Sequence, residues 1–101
     1  MQQHVLPEKN ILRISPNPIE EKAVISFLLP HTDEKSYRIK IVLKDILGVS
    51  LEVLEDRNYP PGFHEFNIQN NGKYSGIKFI ELTIDEHQPK SKRYVEKIIY
   101  Q

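Results

Sequence analysis

Apolar residues recur at every second position along this chain, and that period constrains the fold more than any other feature of the sequence. A strand points successive side chains to opposite faces, so period two marks a strip with one buried face. Leu12 and Ile14 open the series, and Ala23, Ile25, Phe27 and Leu29 continue it. Tyr37, Ile39, Ile41 and Leu43 form a third run. The fourth offers Val49, Leu51 and Val53, or Leu54 if a bulge shifts the phase. His64, Phe66 and Ile68 alternate with Glu65 and Asn67. Ile80, Leu82 and Ile84 share one face, with Ile77 and Phe79 on the other. Tyr94, Ile98 and Tyr100 close the series against Val95 and Ile99. No window has a helical period, and there is no internal repeat.

Turn chemistry separates the runs. Pro16 and Pro18 cannot donate to a ladder, so the first strand must stop at Ser15-Pro16-Asn17-Pro18. Asp45-Ile46-Leu47-Gly48 makes a tight link, with Gly48 free to take positive φ. Pro60-Pro61-Gly62 suits a type II turn, and Asn70-Asn71-Gly72 is a turn signal of the same strength. Short strands so punctuated predict an all-β fold, a seven-stranded antiparallel β-sandwich. If strands alternate in direction, loops alternate between two poles. One pole then gathers the corner at Pro16–Pro18, the Asp45–Gly48 turn, the 71–76 loop and the chain's end. The other gathers the 31–36, 55–61 and 85–92 segments and the start of the first strand.

A chain of 101 residues implies one domain, long enough for a core without staples. There is no cysteine, so no disulfide contributes. Lys+Arg and Asp+Glu balance at 14 each, which argues against a general binder of nucleic acid or of anionic membranes. The apolar run from Ala23 to Leu29 is far short of the ~20 residues of a spanning helix, so membrane insertion is not expected. The opening Met-Gln-Gln-His has neither a basic nor an apolar segment of the signal-peptide kind.

Signals for chemistry are weak. Asp33-Glu34, Glu55-Asp56 and Asp85-Glu86 share a predicted pole and could meet a hard cation. Lys35, Arg57, Lys90, Lys92 and Arg93 lie there too, so a solvated, charge-mixed pole is the better reading. His4, His31, His64 and His87 match no zinc spacing, and His64 is in phase with a core strand. Lys90–Arg93 and Lys97 flank Tyr94, a basic-aromatic stripe of the kind that binds single strands, but neighbouring acids favour a solvated hairpin tip. No nucleophile elbow, phosphate loop or cofactor motif occurs, so neither an enzyme nor a cofactor is expected.

Six motifs carry a resemblance. They are Ile14-Ser15-Pro16-Asn17-Pro18, Ala23-Val24-Ile25-Ser26-Phe27-Leu28-Leu29-Pro30, Lys44-Asp45-Ile46-Leu47-Gly48, Pro61-Gly62-Phe63-His64, Ser75-Gly76-Ile77-Lys78-Phe79-Ile80-Glu81-Leu82 and the tail Glu96-Lys97-Ile98-Ile99-Tyr100. In this order they resemble the C-terminal sorting domain (type A) of the type IX secretion system of Bacteroidetes. Lys44 and Lys78 stand where that family has aromatics, and Gln101 where it commonly ends in lysine. The resemblance covers residues 12–101 and implies an immunoglobulin-like sandwich over 11–101, with residues 1–10 the remnant of a linker. It implies a non-catalytic export signal at the C-terminus of a secreted or surface cargo. The partners would be the fused cargo, the outer-membrane translocon and a surface sortase. With no signal peptide of its own, the chain is then expected to be an excised module. The candidate recognition surface is Pro16, Asn17, Pro18, Asp45, Gly48, Ser75, Gly76, Lys97, Ile98 and Ile99. The alternative is a spacer or binding module of the immunoglobulin or fibronectin type III kind. A carbohydrate-binding sandwich is a third reading, weakened by the lack of tryptophan and by scattered tyrosines at 59, 74, 94 and 100.

Overall fold

The computed structural model describes residues 11–33 and 35–101, so the expected linker at 1–10 and Glu34 lie outside it. The described residues form seven strands and no helix: β1 (Leu12–Ser15), β2 (Lys22–Leu29), β3 (Tyr37–Lys44), β4 (Ser50–Tyr59), β5 (Gly62–Gln69), β6 (Gly76–Ile84) and β7 (Lys92–Tyr100). They make two sheets, β1-β2-β5 and β4-β3-β6-β7, with antiparallel ladders throughout. The inner faces form one core. Ala23, Ile25, Phe27 and Leu29 of β2 face Ile39, Ile41 and Leu43 of β3, Ile80 and Leu82 of β6, and Ile98 of β7, all at most 1% exposed. The period-two expectation therefore holds for β2, β3, β6 and β7.

The fourth strand departs from that pattern. Val49 and Val53 are more than half exposed, and Leu54 packs partly against the core. The register explains this. Ile41 pairs with Glu55 but Val42 with Val53, so Leu54 is an extra residue, and a second shift follows between Leu43 and Lys44. The phase thus changes at Leu54, the alternative that allowed for a bulge. The strand also runs further than its apolar pattern implies. Glu55–Tyr59, expected in the 55–61 loop, continues β4, and only Pro60-Pro61 links it to β5. Past the bulge the inward positions are Glu55, Arg57 and Tyr59. Their polarity hid the alternation. Tyr59 is buried and packs its ring edge-on to Phe27 at 5.2 Å and against His64 at 4.8 Å. His64 also hydrogen-bonds the Pro60 carbonyl at 2.7 Å, so it is the half-buried structural histidine its phase predicted.

The two poles form as the alternation predicted. At one end Arg38 bonds Asp56 and its own N–H donates to Asp85 Oδ1, while Lys40 faces Glu86 at 3.6 Å. These acidic groups of that pole are taken up by cations and main-chain donors. Among the described residues no three His, Cys, Asp or Glu side chains gather as metal ligands. The other end holds Asn17, Asn70 and the terminal residues.

Truncation separates the two kinds of strand position. Ile41→Ala should cost about 2–5 kcal/mol, because the site is fully enclosed and the cavity cannot collapse. Val53→Ala should stay within about 0.5 kcal/mol, as an exposed position does. Urea unfolding of the two variants checks the contrast.

Candidate functional site

Asn17 leaves β1 between two prolines, with cis peptide bonds at Ser15-Pro16 and Asn17-Pro18. Neither proline can donate, so the only hydrogen-bonding side chain the motif offers at its centre is the asparagine. Its side-chain amide reaches the free edge of β7. Nδ2 donates to the Lys97 carbonyl at 2.8 Å, and Oδ1 accepts the Ile99 N–H at 3.0 Å. The amide thereby copies the paired donor and acceptor of a neighbouring strand. Two residues on, the main chain takes over that role. Ile19 N–H donates to the Ile99 carbonyl at 2.7 Å, and Gln101 N–H donates to Ile19 O at 3.0 Å, closing a short parallel bridge. Ile19 is 0% exposed. The segment after the corner thus starts in one sheet and finishes on the edge of the other.

Asn70 ties the same place from the third loop. Its main-chain N–H donates to Glu21 O at 2.7 Å, and its Nδ2 donates to Gln101 O at 2.8 Å and to Ile19 O at 3.2 Å. Its Oδ1 accepts Gly72 N–H at 3.2 Å. Both amide hydrogens and the carbonyl are used, so the Asn70 side chain is fully engaged within the fold, whereas Asn17 uses one amide hydrogen and its carbonyl. Tyr100 packs beneath, its ring 5.7 Å from Tyr74, whose hydroxyl donates to Glu52 at 3.0 Å. Burial, then the nearby Glu52, push the Tyr100 phenol above its ordinary value.

The Asp45 turn has a different internal logic. Asp45 Oδ1 accepts the N–H groups of Leu47 and Val49, both at 2.9 Å, and Gly48 N–H donates to Asp45 O at 3.0 Å. Gly48 has φ +84°, which a side chain would resist. A polar carboxylate thus organises the turn from within. It leaves Ile46 and Leu47 at the tip, Leu47 83% exposed. Lys44, just before the turn, pairs across the sheet with Phe79, and Phe79 with Lys97. Two strand spacings, about 10 Å, therefore separate β3 at the turn from the tail that Asn17 grips.

The candidate surface is accordingly distributed in three ways. Asn17 and the Lys97–Ile99 main chain are bonded to one another. Pro16 and Pro18 are exposed beside them. Asp45 and Gly48 form the turn two strands away. Ser75 precedes β6 and Gly76 starts it; Gly76 pairs with Tyr100, and Ser75 O accepts the Lys78 ammonium at 2.6 Å. Ile98 points into the core with no exposed side chain, so the outward face of the tail belongs to Lys97 and, in part, to Ile99. Sequence reasoning missed Ile19, which stands outside every alternating run, and Asn70, legible only as a turn residue. An asparagine between two prolines was the one available signal for a long-range bond, since no local donor lies beside it.

Comparison with protein-family models, with curated proteins and with solved structures gave no match.

Replacing Asn17 by Ala leaves Lys97 O and Ile99 N–H on an open edge where water can reach them. The expected cost is about 1–2 kcal/mol, with faster hydrogen exchange concentrated at Ile99 and Gln101. Equal exchange rates in the variant and the parent would show that the amide does not hold the tail. Tyr100 makes a separate prediction from pH. A phenol whose folded pKa lies above its unfolded value of 10.0 stabilises the fold fully below about pH 10 and less as pH rises beyond it. Tyr100→Phe should therefore flatten the alkaline fall in stability, read as Tm against pH.

Proposed function

We propose that this domain is a non-catalytic sorting signal that directs an attached cargo through the type IX outer-membrane translocon. The reading rests on the ordered motifs of the sequence, and one structural observation supports it most. The P-N-P corner and the tail, 80 residues apart, meet through the Asn17 amide. Two of the motifs that carry the resemblance thus act as one unit at one pole. The first described strand begins at the opposite pole, so a cargo fused ahead of it would leave the motif-bearing end clear. In this reading the sandwich is immunoglobulin-like, and the recognised surface is the exposed part of that pole: Lys97, the prolines and the Ile46-Leu47 tip.

Geometry decides which variants test this. Deleting Lys97–Gln101 would remove Ile98 and Tyr100 from the core, so lost export after that deletion could reflect unfolding alone. Asp45 and Asn17 hold the turn and the tail. Lys97→Glu and the pair Ile46→Ser with Leu47→Ser change exposed side chains and should leave Tm within a few degrees. With the domain fused behind a fluorescent cargo in a competent host, each is expected to lower the exported fraction severalfold. Parental export from all of them, with normal folding, would sink this surface, and failure of the unsubstituted fusion to be exported would sink the sorting reading itself.

The second reading is a spacer or binding module of a larger extracellular protein. It is favoured by the start of β1 and the end of β7 lying at opposite poles, which suits domains strung end to end. Chain continuing directly past Gln101 in the parent gene would decide for it. A carbohydrate platform is not favoured. The fold brings Tyr74 and Tyr100 together, but Tyr100 is buried, and the Tyr74 ring is packed by Tyr100 and by the Lys73 ammonium at 5.4 Å.

A further inference from the structure

Three strands cannot cover four. β1 packs across β7 at one flank, and at the other β4 is closed over only at its Tyr59 end, by Phe27 and His64. The burial agrees: Ile39, Ile41 and Leu43 of β3 are fully enclosed, whereas Leu54 of β4 is only partly buried. A cleft of about 280 Å³ opens there, with Leu54, Phe66, Ile68 and Tyr100 on its apolar side and Glu52, Asn67, Gln69, Asn71, Lys73 and Tyr74 supplying polar groups.

The same side carries an open ladder. Asn70 N–H donates to Glu21 O, which places the main-chain groups of even-numbered β5 residues toward β2. Leu28 N–H donates to Ile11 O, which turns the even-numbered residues of β2 toward β1 and its odd-numbered ones toward β5. The register agrees, pairing Ile25 with Phe66 and Ala23 with Ile68. The N–H and C=O groups of Glu65, Asn67 and Gln69 therefore point away from the sheet, along an edge that no strand among the described residues joins. Side chains of a strand added there would alternate between the cleft and solvent.

We propose that the free edge of β5, with the cleft beside it, is a strand-addition site for an extended segment of a partner protein. Main-chain pairing with Glu65, Asn67 and Gln69 supplies the affinity, and the apolar side of the cleft, Leu54, Phe66 and Ile68, favours apolar side chains on the inward positions. Charge sets the outward position. Glu65 is exposed on the outer face opposite Ser26, so the incoming residue beside it is Lys or Arg. The segment thus reads basic outward, apolar inward, polar outward, apolar inward, facing Glu65, Phe66, Asn67 and Ile68 in turn. The inward acids of β4 do not oppose this. Glu55 bonds Tyr59 and faces Arg57 at 3.3 Å, and Glu52 bonds Tyr74. The site does not depend on the export reading.

The test uses the whole chain and a blocked peptide of alternating Val and Thr with one Thr replaced by Lys, followed by amide NMR. Binding should shift and protect the N–H groups of Glu65, Asn67 and Gln69 more than those of β4 or β7. Asn67→Pro removes an outward N–H that β2 does not use. It should keep the parental spectrum elsewhere and weaken binding about tenfold or more. Glu65→Lys should weaken the Lys peptide about 2–5-fold, and a Glu-bearing peptide should recover the loss. No binding, shifts confined to the β4 or β7 edges, or full binding to Asn67→Pro would each overturn the proposal.

Discussion

The structure depends on one crossing. After β1 the chain must leave the three-stranded sheet and seal the edge of the four-stranded one before it returns as β2. Asn17 and Ile19 accomplish this with four hydrogen bonds to Lys97, Ile99 and Gln101. A sandwich closes by side-chain packing between its faces, but its flanks are rows of unpaired main-chain groups. The crossing converts the terminal half of one flank into a paired edge and buries Ile19 as it does so. It also explains why Tyr100, the last core residue before the end of the chain, stays enclosed.

The opposite flank has no such seal. β4 runs on past β5 with a bulge at Leu54, and its inner positions carry Glu52, Glu55 and Arg57 where a covered strand would carry aliphatics. Each of these charges finds a local partner, Arg57 stacking on the Tyr59 ring at 4.4 Å as well as facing Glu55. Bulges and inward charges are the means by which natural sheets discourage pairing at an edge. β4 has both, whereas β5 has neither. The asymmetry between the two edges that border the cleft is what singles out β5 as the one still able to accept a strand.

Much of the fold was legible in the sequence, because burial on one face of a strand imposes period two directly. The runs at Ala23–Leu29, Tyr37–Leu43 and Ile80–Ile84 needed no tertiary knowledge. β4 was not legible for the opposite reason. Away from Tyr59 and Leu54 it is not covered, so little selects apolar residues along it, and the bulge breaks the little alternation it has. Ile19 was hidden because it is buried by a single crossing residue, too short a segment to show any period. The site was half legible. Asp45 and Gly48 announce their turn because its bonds span four residues or fewer. Asn17 and Asn70 bond across tens of residues, and no local pattern reports that.

The same distinction bears on what a partner could read. Asp45, Gly48, Asn17 and Asn70 turn their polar groups into the fold, so their constancy in any set of related chains would follow from folding alone. A recognition role must rest on what those residues display instead. Around the Asp45 turn that is an apolar tip, because the turn amides of Leu47 and Val49 are drawn inward to the carboxylate and Ile46 and Leu47 are left outside. Around Asn17 it is Lys97, whose carbonyl is held while its ammonium stays in solvent. An apolar tip and a cation are thus carried by strands of one sheet two spacings apart. Turn, corner and tail are thus the frame, and any recognition would have to fall on the side chains they leave free.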